Sequence, residues 1–175
     1  EGLPSGLPIT VDQIGNELAR RRLGFGRGPR QKFEQDEIEL IGGIRHGRTL
    51  GSPVAVLIKN TEWFRSDVWH EEMSPQPGAT KKPLTQPRPG HADLVGMQKY
   101  DFVDARDVLE RASARETSAR VVAGALAKLL LKQIGVDIVS HVVGLGAATN
   151  SSPVRPGPND TPRIDESPVR CFDKA

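Results

Sequence analysis

Two short runs hold the residue types most able to do chemistry. The first is Arg88-Pro89-Gly90-His91-Ala92-Asp93; the second, about twenty positions later, is Arg111-Ala112-Ser113-Ala114-Arg115-Glu116-Thr117. A rigid turn carrying a histidine is thus followed by a segment carrying two arginines and a hydroxyl, the inventory expected around a buried anionic ligand that also exchanges a proton. Pro89 restricts the backbone and Gly90 permits a sharp turn, so the His91 imidazole can be aimed. Its reference pKa of about 6.5 suits a general acid or a proton donor to a bound cofactor. The plainer alternative is a histidine at a helix start that hydrogen-bonds to Asp93.

Arg111 and Arg115 are four apart on the expected helix and hence on the same face, with Ser113 displaced around it. One reading of this polar patch is an anion or cofactor site, with arginine supplying charge and Ser113 a neutral hydrogen bond. The other is a set of intrahelical ion pairs, Glu110 with Arg106 or Glu116 with Arg120. A third basic segment contains Arg20, Arg21, Arg22, Arg27 and Arg30, interleaved with Gly24, Gly26 and Gly28. Such a loop can present guanidinium forks and backbone N–H groups to one phosphate or carboxylate; a solvated basic helix end explains it equally well. Arg45-His46-Gly47-Arg48 reads as a basic turn, His70 as loop surface and His141 as strand packing.

These residues need elements to position them. Thr10-Val11-Asp12-Gln13 has the form of a capping box, and Ile14, Leu18 and Leu23 give an approximate helical stripe ending at Gly24. Residues 33–44 read as an extended arm, with Ile38 and Leu40 on one side and Glu37 and Glu39 on the other; Gly42-Gly43 interrupts it. The apolar run 54–58 predicts a strand buried on both faces. From Thr61 to Pro89 periodicity vanishes among prolines, which predicts a long irregular loop that orders over a ligand. A short helix is expected over 92–100. A long one follows, capped by Asp104, running to about Ile134 and stopped by Gly135. Val121, Ala125 and Leu129, with Val122, Leu126 and Leu130, form its apolar face. Residues 136–145 read as a β-rich strand, and Asp165-Glu166-Ser167-Pro168 as the opening of another helix.

Composition narrows the class. The chain has 175 residues, enough for one core of ordinary size. Lys plus Arg number 24 against 22 Asp plus Glu, so the net charge of +2 does not announce nucleic-acid binding. The longest apolar stretch, 121–131, falls short of the roughly 20 residues a bilayer requires. The single cysteine, Cys171, excludes an internal disulfide and fits a reducing compartment. No histidine, cysteine and carboxylate spacing matches a transition-metal site, and no Walker loop or dinucleotide fingerprint is present.

Six segments occur together in one order: Glu1-Gly2-Leu3-Pro4, Arg20-Arg21-Arg22-Leu23-Gly24-Phe25-Gly26-Arg27, Gly43-Ile44-Arg45-His46-Gly47, Asn60-Thr61-Glu62-Trp63, and the two runs beginning at Arg88 and Arg111. In these the chain closely resembles the chorismate synthase family over nearly its whole length. The resemblance implies a lyase of the shikimate pathway for aromatic amino acids. That enzyme eliminates phosphate, anti-1,4, from 5-enolpyruvylshikimate 3-phosphate to give chorismate. It requires reduced FMN although the reaction has no net redox change. His91 matches the family histidine proposed to protonate the reduced flavin. Arg111, Ala112 and Ser113 match a flavin-contacting segment. Arg21 and Arg27 match arginines associated with substrate anions, or with NADP in members that use NADPH to reduce their own flavin. No metal, nucleic-acid or membrane partner is implied. The implied fold is α+β, a β-α-β sandwich with helices between antiparallel sheets, in a cytoplasmic homotetramer. Residues 1–175 would be the N-terminal and central part of its single domain.

The family's Gly-Glu-Ser-His-Gly motif and its C-terminal half have no counterpart in this sequence, so the resemblance also implies that the 175-residue chain is inactive alone. Two other classes remain open on sequence: an anion- or nucleic-acid-binding module using residues 20–30, and a non-catalytic interaction fragment. Phe25 is the one aromatic in the arginine segment, which gives base stacking little support.

Overall fold

The computed structural model describes residues 1–26, 36–60 and 82–173. They fall into two compact units, the first made of Glu1–Lys59 and Val121–Ala175, the second of Asn60–Arg120.

In the first unit, helix α1 (Val11–Arg21) begins at the expected capping box. Thr10 Oγ1 accepts the Gln13 N–H at 3.2 Å, and the Thr10 N–H donates to Gln13 Oε1 at 2.9 Å. Ile14 and Leu18 are fully buried. Leu23, expected to continue their stripe, lies past the helix end and is 40% exposed, because the helix stops at Arg21 and turns at Arg22. Strands β1 (Ile38–Gly42) and β4 (Ala55–Ile58) pair antiparallel, Ile38 opposite Ile58 and Leu40 opposite Val56. These four side chains pack on a core of Leu7, Ile9, Ile14, Leu18, Val122 and Ala125.

Strand 55–58 is therefore covered on one face, correcting the expectation of burial on both. Ala55 and Leu57 alternate to the other side, where they are exposed. Between these strands, β2 (Ile44–Arg45) and β3 (Arg48–Thr49) form a hairpin. Its turn residues His46 and Gly47 both have positive φ, 49° and 71°, as a tight two-residue turn demands. The N-terminal segment lies along β3 through bonds between Gly6 and Thr49, Leu7 and Thr49, and Ile9 and Gly47.

Among the described residues, the helical elements of the second unit are helix α2 (Asp93–Tyr100), helix α3 (Arg106–Arg111) and the start of helix α4 (Ala114–Gln133). The expected single helix over 104–134 is broken at Ala112-Ser113. Ser113 Oγ accepts the Arg115 N–H at 3.0 Å, the bond an N-cap makes, and so starts a new helix where an old one would have continued. Asp104, expected as the cap, lies one residue before the N-cap Ala105 of α3; its Oδ1 accepts the N–H groups of Arg106 and Leu84, each at 3.0 Å. Gly96 of α2 lies against the Val108 side chain of α3 so closely that a Cβ there would collide with it. Of the irregular stretch expected over 61–89, residues 61–81 lie outside the described residues, and 82–89 hold no helix or strand.

From Val121 on, α4 belongs to the first unit, where Val122 and Ala125 are buried. Val121, Leu126, Leu129 and Leu130 pack around them. The helix ends in a Schellman motif: Gly135 has φ 73°, its N–H bonds the Lys132 carbonyl, and the Val136 N–H bonds that of Leu131. The strand expected over 136–145 is reduced to β5 (Gly144–Leu145), hairpinned to β6 (Ala148–Thr149). β-Branched residues are present, but among the described residues no strand edge runs beside 136–143, and propensity without a ladder makes no strand. Helix α5 (Thr161–Glu166) ends where a helix was expected to begin. Pro162 suits its first turn, and Ser167, held extended before Pro168, terminates it. The fold is α+β, with α1 and α4 packed on one face of the β1–β4 pair.

Candidate functional site

His91 sits on a stitched turn. Gly90 takes φ 74°, and the His91 N–H donates to the Arg88 carbonyl at 3.3 Å. Asp93, the first residue of α2, receives three bonds from one residue: Arg88 Nε at 2.9 Å, Arg88 Nη2 at 3.0 Å and the Arg88 N–H at 3.0 Å. The carboxylate is 1% exposed. The Arg88 guanidinium, helped by the Arg88 backbone N–H, pulls its pKa down to about 2 against the cost of burial. Arg88, not His91, is thus the partner of Asp93. The imidazole is exposed, and among the described residues no side chain hydrogen-bonds it.

Arg111, Ala112 and Ser113 form the break between α3 and α4. Arg111 and Arg115 belong to different helices, so the expectation that they share a helical face is overturned by the Ser113 cap. The Arg111 side chain is 79% exposed and only loosely tied, Nη1 lying 3.4 Å from Glu116 Oε1. Glu116 bonds Arg120 Nε at 2.7 Å, the expected i,i+4 pair, and this bond holds its carboxyl below the usual range. Arg106 pairs with Asp104 at 3.2 Å. His91 and Arg111–Ser113 are all in the second unit, whose helices α2 and α3 meet at Gly96 and Val108.

The basic segment belongs to the first unit. Arg20 grips Asp165 through Nε at 2.7 Å and Nη2 at 3.2 Å, and reaches Glu17 at 3.0 Å. Arg170 joins Asp165 at 2.9 Å, and Lys128 joins Glu17 at 3.0 Å. Burial raises the Asp165 pKa, but the Arg20 bond and the surrounding cations outweigh it and leave the group lowered. Arg21 is largely buried at 11% exposure, with Nη2 2.9 Å from Asp36 Oδ2. The Phe25 N–H donates to the Pro168 carbonyl at 2.6 Å, seating the start of the loop on the turn after α5. Arg27 and Arg30 lie outside the described residues, as does His70.

Arg45, at the end of β2, and His46, in the β2–β3 turn, are both exposed. His141 meets the edge of Phe172 at 6.2 Å rather than packing in a strand. A cavity of about 770 Å³, lined by Val142, Leu145, Thr149, Arg163, Val169 and Phe172 among others, lies in the first unit; His91, Arg111, Ala112, Ser113 and Arg21 are not among its lining residues. Among the described residues no helix is long and apolar enough to cross a membrane. The partners that sequence reasoning missed are Asp36, Asp165 and the Arg88–Asp93 clasp. Only the clasp had a local signal, opposite charges flanking a Pro-Gly turn.

The sequence model of one family, chorismate synthase, matches residues 1–175. The chain belongs to the chorismate synthase family. It is 56% identical to a chorismate synthase of Salinispora tropica over 99% of this chain and 46% of that protein. It is 55% identical to one of Thermobifida fusca, again over 99% of the chain and 46% of the relative. Its fold matches a solved crystal structure of chorismate synthase with a TM-score of 0.70 at 32% identity, covering 99% of this chain and 43% of that one. The chain therefore spans about half the length of the chorismate synthases it matches. This match, together with the ion pairs that engage Arg20 and Arg21, disfavours a nucleic-acid-binding module built on residues 20–30.

Proposed function

We propose that these residues form part of a chorismate synthase, a lyase that eliminates phosphate from 5-enolpyruvylshikimate 3-phosphate to yield chorismate. The observation that carries this reading is the unbroken family match over 1–175, which includes the stitched turn at His91 and the helix break at Arg111–Ser113. The same continuity supports residues 1–175 as part of one domain.

FMN fits the donor set at the break. Arg111 is exposed and loosely held, and Ser113 brings a hydroxyl. The start of a 20-residue helix adds a favourable dipole for a phosphate. In this reading Arg111, released from Glu116, which keeps Arg120, would hold the cofactor together with Ala112 and Ser113. Reduced FMN, when bound, would supply transient electron donation that eases phosphate departure. His91 would hold a proton for the reduced cofactor. Arg21, oriented by Asp36, and Arg27 receive substrate anions, or NADP if the enzyme reduces its own flavin with NADPH. Guanidinium forks suit both, since phosphate and carboxylate present paired oxygens. The complete enzyme is a cytoplasmic homotetramer in this reading, acting on a small molecule and not on nucleic acid or membrane.

The test is FMN binding by the full-length protein with and without 5-enolpyruvylshikimate 3-phosphate. Substrate-enhanced binding, lost in an Arg111→Ala, Ser113→Ala double variant, supports the assignment. Absence of FMN binding by the folded full-length protein overturns it.

A further inference from the structure

We infer that Arg88 and Asp93 are positioning residues for His91, a clasp that fixes the imidazole-bearing turn onto the first turn of α2. The inference rests on the role given to His91 in the proposed function.

A carboxylate buried to 1% exposure is costly unless it is fully paired, and Asp93 receives its bonds from a residue only five positions away. A partner so close in sequence ties no distant parts of the fold together. What it does is close a ring through Pro89, Gly90, His91 and Ala92. Arg88 is pinned at both its backbone N–H and its guanidinium, and its carbonyl accepts the His91 N–H. Asp93 is itself fixed, since it begins the helix whose Gly96 is wedged against Val108. Pro89 and the positive φ of Gly90 remove most remaining freedom. Both Asp93 carboxylate oxygens are engaged by Arg88, whose side chain is half-exposed. The imidazole is the exposed, titratable side chain left on the ring. Misplacing a reacting group by 1 Å can cost a factor of about 100, so a turn that holds its histidine this firmly is suited to proton transfer.

The experiment is a double-mutant cycle in full-length enzyme: wild type, His91→Ala, Asp93→Asn and the double variant. It reads kcat, KM for 5-enolpyruvylshikimate 3-phosphate and the Kd of FMN. His91→Ala is expected to lower kcat by about 100-fold, the lower range for a lost general acid. Asp93→Asn should lower kcat about tenfold, with KM and the FMN Kd changed by no more than about twofold. In the His91→Ala background it should lower kcat no further, because nothing remains to position. Equal losses in both backgrounds, or no loss on Asp93→Asn where His91→Ala is slow, overturn the positioning role. An unchanged kcat in His91→Ala overturns the role of His91 itself. Arg88→Lys keeps the charge but loses the two-pronged grip, and carries the same expectation if Asp93→Asn does not fold.

Discussion

At the scale of single residues, the Arg88–Asp93 pair has a pH signature whose sign is determined. The folded carboxyl titrates at about 2, below its ordinary 3.8. The pair's contribution is therefore complete above the ordinary value and fades as the pH falls toward 2. Following the Asp93 carboxyl carbon by NMR should show a midpoint near 2, and Arg88→Gln should move that midpoint up toward the ordinary value. A midpoint that stays put in Arg88→Gln would show that the guanidinium is not the cause. Asp165, whose carboxyl is also lowered, follows the same direction, holding Arg20 and Arg170 at neutral pH and releasing them in acid.

Elements make their own predictions. Thr10→Ala removes one of the two reciprocal bonds that open α1 and should cost about 1 kcal/mol in urea unfolding, with the slope unchanged. Gly96→Val forces two methyl groups into the Val108 side chain. It should destabilise α2 and α3 by roughly 1–3 kcal/mol, read as faster amide exchange in both helices. Where signals are local, the elements are legible in the sequence. The capping box at Thr10, the glycine stop at Gly135 and the short helix before Tyr100 all stand as read, since each depends on neighbours within a few residues. The failures share a cause as well. Whether Ser113 continues a helix or caps a new one depends on where its hydroxyl turns, and whether 136–143 becomes a strand depends on a partner edge that periodicity does not reveal.

The core of the first unit draws on segments far apart in the chain. Ile14→Ala, made in the full-length protein, should cost about 2–5 kcal/mol, the range for emptying a buried aliphatic site, measured by the urea midpoint. The candidate site follows the same logic at larger range. Its histidine turn and arginine–serine junction are visible as short motifs, whereas the carboxylates that hold Arg20 and Arg21 are not, Asp165 lying 145 positions from Arg20.

That separation also sets an order of events during synthesis. At ribosomal rates of about 5–20 residues per second, Asp165 leaves the ribosome roughly 7–30 s after Arg20. Until then Glu17 is the carboxylate within reach of Arg20 on its own helix. The Pro168 carbonyl that seats Phe25 arrives later still. The nascent arginine segment thus passes its first seconds without its final anchor, close to the polyanionic surface of the ribosome itself.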